Sequence, residues 1–497
     1  MPTATLTIKD EVNVKIEGLD AGTRRHLNKK FKYEIPGARF IPAVRLGRWD
    51  GTTAFFSMGG STYINLLPEI LPELDERGYE LNINDLRQYR TGYQFEPITA
   101  DYLKECCWPK GHPNEGQPIE LRDYQLDAVN SFLTNTQSIQ CIATGAGKTL
   151  MTATLAKCAG QYGRTILIVP SKNLVTQTEE DYINIGLDVG VYFGDRKELD
   201  HQHIISTWQS LNQLLKNSEG RNSEDEPANR RLARDPTDYI IDDVTDGLVC
   251  VMVDECHSLK ADKLKALMTD VLAHIPIRWA VSGTIPKDEH DFRSLQVSVG
   301  EVINRITAAE LQDRGVLADC NVNIMQLVDH TEYKTYQSEL KYLLENTDRL
   351  KYIAQIINNL EGNSLVLIDR VEPGKQLSEF VNNATFLSGA TKVKDRKEQY
   401  VEVNFSDNKV LVATYGIAAV GINITKLHNL VLLEPGKSFV RVIQSIGRGL
   451  RKGFDKDHVE IWDITSTCKF SKRHLTKRKQ YYAEADYPYS VEKIHWQ

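Results

Sequence analysis

Residues 143–149 read ATGAGKT and follow directly on the short apolar run Ile139-Gln140-Cys141-Ile142. Glycines at 145 and 147 let successive backbone N–H groups turn toward phosphate oxygens. Lys148 then adds a point charge at the outer phosphates, and the Thr149 hydroxyl suits Mg²⁺. The strict pattern carries glycine where Ile142 stands, so GKT alone is a weak signal. About a hundred residues on, 251–257 read VMVDECH, with Asp254 and Glu255 closing the apolar run Leu248-Val249-Cys250-Val251-Met252-Val253. An acidic pair at a strand's end provides one carboxylate for a metal shell and one for an attacking water. In this order, each on a strand, the two stretches predict hydrolysis of a nucleoside triphosphate.

Outward from them the chain alternates short apolar strands with helical patterns such as Leu150 to Tyr162. The strands read TILIVP (165–170), HIIST (203–207), LVCVMVD (248–254) and RWAVSGT (278–284), then SLVLIDR (364–370), KVLVATY (409–415), NLVLLEP (429–435) and VEIWDI (459–464). Unbroken Val/Ile/Leu runs indicate strands buried on both faces of a parallel sheet. The expected fold is therefore α/β, with the αβ pattern occurring twice. The break between the repeats runs from about Gln312 to Ser364 and carries a helical pattern from Tyr333 to Leu360. Residues 216–243 are polar and Pro-bearing, which predicts an exposed, partly disordered insertion in the first sheet.

The first hundred residues alternate differently, around a candidate helix from Thr23 to Lys32, and predict a small, separate α+β domain. Their most distinctive run is FIPAVRLGRWDG, 40–51, read as a loop. Arg45, Arg48 and Trp49 suit phosphate contact and base stacking. A tryptophan anchoring a small core beside surface arginines fits the same residues equally well.

At 497 residues the chain is too long for one core. Hydrophobic residues at 41% and charged ones at 26% are ordinary for a soluble globular protein. No apolar run approaches a membrane span, and no signal-peptide core opens the chain, so a cytoplasmic protein without membrane partners is expected. Eight cysteines without C-x-x-C or zinc spacing point to free thiols. A net charge of −7 leaves room for nucleic acid only in a locally basic cleft.

Upstream, RDYQ (122–125) offers a Gln amide whose donor and acceptor suit an adenine edge. Downstream, QSIGRGLRKG (444–453) places Arg448 and Arg451 on one helical face, where planar guanidinium groups suit a triphosphate. RDYQ, ATGAGKT, IVPSKNLVTQ, STWQSL, VDECH, SGT, ATYGIAAVGIN and QSIGRGLRK stand in the order of the superfamily 2 helicase motifs, from roughly 119 to 453. The chain thus resembles that superfamily, on its DEAH/RecG-like and restriction-translocase side. The FxPxxRxGxWDG run is similar to one in the phage UvsW helicases.

The resemblance implies two tandem RecA-like parallel-sheet domains joined to a small N-terminal nucleic-acid-binding domain. The corresponding boundaries are 1–105, 106–311 and 312–465, with a basic and aromatic extension at 466–497. It implies an ATP hydrolase and a DNA helicase or translocase that remodels forked, junction or R-loop nucleic acid in recombination, replication and repair. Single-stranded DNA, RNA–DNA hybrid and single-strand-binding or recombination proteins are the implied partners, and a phage-encoded chain would work in the host cytoplasm.

Carried over by position, Arg122 and Gln125 would recognise adenine, and Thr144, Gly145, Ala146, Gly147, Lys148 and Thr149 would cradle phosphates. Thr149 and Asp254 would hold Mg²⁺, Asp254 partly through water, and Glu255 would polarise the attacking water. Ser282 and Thr284 would couple hydrolysis to movement. Gln444, Arg448 and Arg451 would reach the γ-phosphate, with Gly421 lining the cleft. Pro170, Ser171, Lys172, Thr207, Trp208 and Gln209, then Ser388, Gly389, Thr414 and Tyr415, would hold the nucleic-acid strand.

The C-terminal stretch CKFSKRHLTKRKQYYAEADYPYS (468–490) reads either as a duplex-binding or junction-wedging helix or as a solvated one. A duplex translocase of a restriction or remodelling complex is the alternative activity, although little chain after residue 465 is left for a nuclease.

Overall fold

The computed structural model describes residues 2–88, 93–110, 112, 114–219, 239–260, 262–418, 424, 426–438, 446–447 and 457–496. These fall into two compact units, residues 1–142 with 148–305, and residues 306–497 with 143–147.

In the first unit six parallel strands stand in the order Val189–Phe193, His203–Thr207, Arg164–Val169, Leu248–Asp254, Ile277–Ser282 and Gln137–Ile142. Arg196–Lys197 pairs antiparallel at one edge, and Glu301–Ile306 closes the other. The expected strands are there because Val, Ile and Leu fill both faces; every residue of His203–Thr207 and of Ile277–Ser282 is buried. Val189–Phe193 and Glu301–Ile306 were not foreseen, the latter because only its last residue is buried.

The N-terminal residues build a four-stranded sheet, ordered Ser61–Tyr63, Asn13–Glu17, Thr3–Ile8, Glu80–Asp85. Its helix is Ala21–Lys30, started by Asp20, whose carboxylate accepts the N–H groups of Gly22 and Thr23. Phe31, Phe55, Phe56 and Leu27 form its core, to which Val297 of helix Glu289–Ser298 also belongs. Arg293 of that helix grips both carboxylate oxygens of Glu69, and Asn65 donates to the Gln296 carbonyl at 3.2 Å. FIPAVRLGRWDG differs from the expected loop: a 3₁₀ turn, Ala38–Phe40, leads into it, and it contains a helical turn, Pro42–Arg45.

The second unit carries seven parallel strands in the order Ala384–Leu387, Val410–Thr414, Ser364–Ile368, Asn429–Leu433, His458–Ser466, Asp319–Leu327 and Tyr489–Ile494. Asp319–Leu327 lies inside the stretch read as a break. Its sequence, DCNVNIMQL, alternates polar and apolar residues, and so lacks the continuous apolar run used to find the others. The helical pattern from Tyr333 to Leu360 is two helices, Tyr336–Glu345 and Thr347–Asn358, because the Asn346 side chain accepts the Arg349 N–H and starts a new one.

The C-terminal stretch joins this unit through the edge strand Tyr489–Ile494 and helix Lys469–Glu484. Arg478 is buried and forks onto Asp463 at 2.7 and 2.8 Å, and the Tyr482 hydroxyl donates to the same carboxylate at 2.7 Å. Two of the residues read as a basic, aromatic nucleic-acid surface are therefore core. No helix among the described residues is long and apolar enough to cross a membrane. Of the insertion read at 216–243, residues 220–238 lie outside the described part; its flanks end helix Trp208–Glu219 and form helix Ile241–Thr245.

Candidate active site

The register of the first sheet sets Asp254 beside Val281 and Ser282 beside Cys141. The C-terminal ends of three neighbouring parallel strands therefore lie side by side, where open α/β sheets collect ligands. One end leads into the phosphate loop, one carries Asp254 and Glu255, and the strand between them carries Ser282.

The loop has the shape its glycines allow. Gly145 and Gly147 take φ of 91° and 82°, a region closed to side-chain-bearing residues without strain. Helix Lys148–Ala159 then starts at the lysine, so its unsatisfied N–H groups face the place where phosphates would sit. Ile142, the departure from the motif, is fully buried at the strand's end and removes no polar group. The Lys148 ammonium lies 3.3 Å from the Ile142 carbonyl and 3.5 Å from a Glu255 oxygen.

Glu255 is buried and holds φ of 54°, an uncommon conformation for a residue with a side chain. The Ser282 hydroxyl donates to its Oε2 at 3.0 Å. His257 Nδ1 lies 3.0 Å from that hydroxyl and 3.3 Å from the same carboxylate oxygen. Burial works to raise the Glu255 pKa, but the Lys148 ammonium and the bonds from His257 and Ser282 outweigh it and hold the carboxyl well below its usual range. Burial, and then the charge of Glu255, instead raise the Asp254 pKa, and the attraction of Lys148 and His257 does not offset them. One carboxylate is thus kept charged, while its neighbour is raised. His257 was given no separate role from the sequence, although it stands in the DECH box two residues after Glu255.

Gln125 is buried, and its carbonyl oxygen accepts the Arg122 N–H at 3.0 Å at the start of helix Asp123–Thr134. Thr284 is buried, and among the described residues its hydroxyl has no hydrogen-bond partner. Gly421, Gln444, Arg448 and Arg451 lie outside the described residues.

The residues assigned to the strand track divide by exposure. Lys172 and Gln209 are exposed, Pro170 and Trp208 are half-buried, and the Ser171 hydroxyl is buried without a partner among the described residues. Thr207 is buried and accepts the Ser210 N–H at 3.3 Å, so it starts its own helix. In the second unit Gly389 is open and Thr414 half-buried. Ser388 and Tyr415 are buried there, the Tyr415 hydroxyl lying 3.3 Å from the Leu433 carbonyl. Arg45, Arg48 and Trp49 are all exposed, so Trp49 does not anchor the N-terminal core.

Residues 118–287 match the family model described as type III restriction enzyme, res subunit, and residues 348–453 match that of the helicase conserved C-terminal domain. Together these matches take in more than half of the chain. The ATP-dependent DNA helicase uvsW of Enterobacteria phage T4 is 24% identical over 496 residues, 95% of this chain and 92% of that one. A putative DNA 3'-5' helicase Rad25 of Haloarcula marismortui is 24% identical over 410 residues, 77% of this chain and 60% of that protein. Among solved structures, T4 UvsW aligns over the whole of both chains at 22% identity with a TM-score of 0.44. A fragment of a putative HsdR subunit of a type I restriction enzyme from Vibrio vulnificus covers 97% of this chain and 85% of its own at 15% identity, with a TM-score of 0.55. That likeness speaks for the fold alone.

Proposed function

We propose that this chain, which belongs to the superfamily 2 helicases and hydrolyses ATP, is a motor on DNA that unwinds or branch-migrates forked, junction and R-loop substrates. The observation that carries the reading is the cluster of Lys148, Glu255, His257 and Ser282 at three adjacent strand ends. In it the residue expected to orient water, Glu255, is held charged by the lysine expected to meet the phosphates. Through Ser282 the same carboxylate is tied to the strand that leads to Thr284, which gives hydrolysis a mechanical outlet.

The residues present suit Mg²⁺. Thr149 and Asp254 offer hard oxygen donors, and Asp254, its pKa raised by burial and by Glu255, is a carboxylate that a divalent cation would relieve. When bound, the ion would neutralise phosphate charge. Lys148 and the loop N–H groups bind the phosphates, Glu255 orients the water, and Gln125 with Arg122 receives the adenine. Gly421, Gln444, Arg448 and Arg451 take their roles at the γ-phosphate from the family resemblance.

For the strand we assign Pro170, Ser171, Lys172, Trp208 and Gln209 in the first unit and Gly389 and Thr414 in the second. Thr207, Ser388 and Tyr415 hold the ends of their strands. Hydroxyl and backbone contacts to phosphate suit a motor that steps without reading sequence.

Lys148→Ala should abolish nucleic-acid-stimulated ATP hydrolysis while leaving DNA binding within about twofold, since Lys148 is not among the residues assigned to the strand. Normal turnover by that variant would sink the assignment. The match to a restriction subunit favours a second reading, translocation on duplex without strand separation. Strand displacement on forked DNA, compared with triplex displacement on blunt duplex, separates the two.

A further inference from the structure

The run from Gly37 to Gly51 presents apolar side chains to solvent on a scaffold too well built to be a floppy loop. Phe40 is 71% exposed, Leu46 66% and Trp49 37%. The backbone beneath them is closed by its own hydrogen bonds. Phe40 N–H donates to Gly37 at 2.9 Å, Leu46 to Pro42 at 3.0 Å and Arg48 to Ala43 at 2.9 Å. The base is pinned where Ile35 N–H donates to Gly51 at 2.9 Å and where Lys32 meets Asp50 at 2.6 Å. A Cβ on Gly51, whose φ is 75°, would come within 2.7 Å of the Ala38 methyl, so the two ends of the run are in contact.

A protein does not ordinarily hold two large apolar side chains this far into water without something to cover them. Charge says what that is. The charged residues in the run are Arg39, Arg45, Arg48 and Asp50, and Asp50 is already engaged by Lys32 and Thr52. The Arg39 guanidinium lies 4.9 Å from the Phe40 ring centroid, which backs one side of the ring with a cation. An apolar tip ringed by arginines fits a polyanion that carries flat apolar faces. Phosphates would meet the arginines, and a base with no neighbour on one side would meet the ring. Paired bases inside a duplex have both faces covered; unpaired bases at a fork or junction do not.

We propose that Phe40 and Leu46 form an apolar pin that takes up unpaired nucleobases where duplex DNA opens, with Arg39, Arg45 and Arg48 holding the flanking phosphates. The proposal rests on the motor reading for its substrate. It is tested without ATP, however, so a failure of ATPase activity and a failure of the pin are told apart.

The experiment measures equilibrium binding of the full chain to a fork and to a blunt duplex of the same sequence, over a range of salt. Phe40→Ala/Leu46→Ala should weaken fork binding about tenfold and leave duplex binding unchanged, as expected for one lost base stack. Phe40→Tyr, which keeps a flat ring, should retain fork preference. Arg45→Ala/Arg48→Ala should weaken both substrates and flatten the salt dependence. Because both pin residues are exposed, the melting temperature should be unchanged. Wild-type fork affinity in the double-alanine variant, or an equal loss on fork and duplex, would overturn the pin. The first result would leave the patch to a protein partner.

Discussion

Ser282→Ala is the sharpest probe of the proposed site, because it removes one hydroxyl that touches both Glu255 and His257. That hydroxyl donates to Glu255 Oε2 at 3.0 Å and lies 3.0 Å from His257 Nδ1. Glu255 is buried and the His257 side chain is 19% exposed, so water replaces the lost bond only in part. A hydrogen bond to a charged group is worth about 1.5–3 kcal/mol. His257 Nδ1 still reaches the same oxygen at 3.3 Å, which keeps the loss near the lower end of that range. At 1.36 kcal/mol per decade this is about a ten- to thirtyfold fall in kcat. The KM for ATP should move by less than about twofold, since Lys148 and the phosphate loop are untouched. Glu255 is held below its usual range by Lys148, His257 and Ser282 against the effect of burial. Losing one of these raises its pKa. Steady-state ATPase kinetics with saturating forked DNA reads both kcat and KM. An unchanged kcat, or a change in KM alone, would refute the view that Ser282 acts through Glu255.

Three further perturbations test the framework around the site. Arg278 is fully buried and its guanidinium bonds the carbonyls of Met268, Leu272, Ile275 and Ser298, so Arg278→Met should cost at least about 3 kcal/mol in urea unfolding by orphaning them. Arg478→Ala leaves the buried Asp463 carboxylate without its guanidinium partner, with the Tyr482 hydroxyl still bonded to it, and should cost about 3–5 kcal/mol, whereas a surface arginine would cost almost nothing; thermal unfolding distinguishes these. His203 is buried beside Thr165, and burial pushes its pKa down to about 4. The unfolded chain binds that proton first, so the stability is complete above pH 6.5 and falls as pH drops toward 4, by about 3 kcal/mol in all. His203→Gln should remove this component, seen as a flatter dependence of the urea midpoint on pH between 7 and 4.

Much of the molecule was legible along the chain because the information is local. A strand buried on both faces must be apolar throughout, so LVCVMVD and HIIST announced themselves. A phosphate loop needs glycines at fixed offsets from its lysine, so ATGAGKT did the same. Where burial is one-sided or contributed from afar, the local pattern failed. Asp319–Leu327 alternates polar and apolar residues, yet it is a strand inside the second sheet. The C-terminal run looked like a cationic surface, but Arg478 and Tyr482 turn inward to Asp463, a partner on another element.

The sequence alone pointed to the chemistry: which side chains are proposed to handle phosphate, metal and water, and that parallel sheets carry them. Only the tertiary structure decided their charge states and accessibility. Glu255 is held low and Asp254 raised, because sheet register brings the Lys148 ammonium, the Ser282 hydroxyl and His257 within 3.5 Å of Glu255, while burial and the Glu255 charge dominate at Asp254. Thr207 and Tyr415 carry the right residue types for a strand track but lie in the core, while Phe40 and Leu46, unremarkable as letters, stand in water. Composition and spacing are properties of the chain. Burial and electrostatic neighbours belong to the fold, since they depend on which distant segments arrive at the same place.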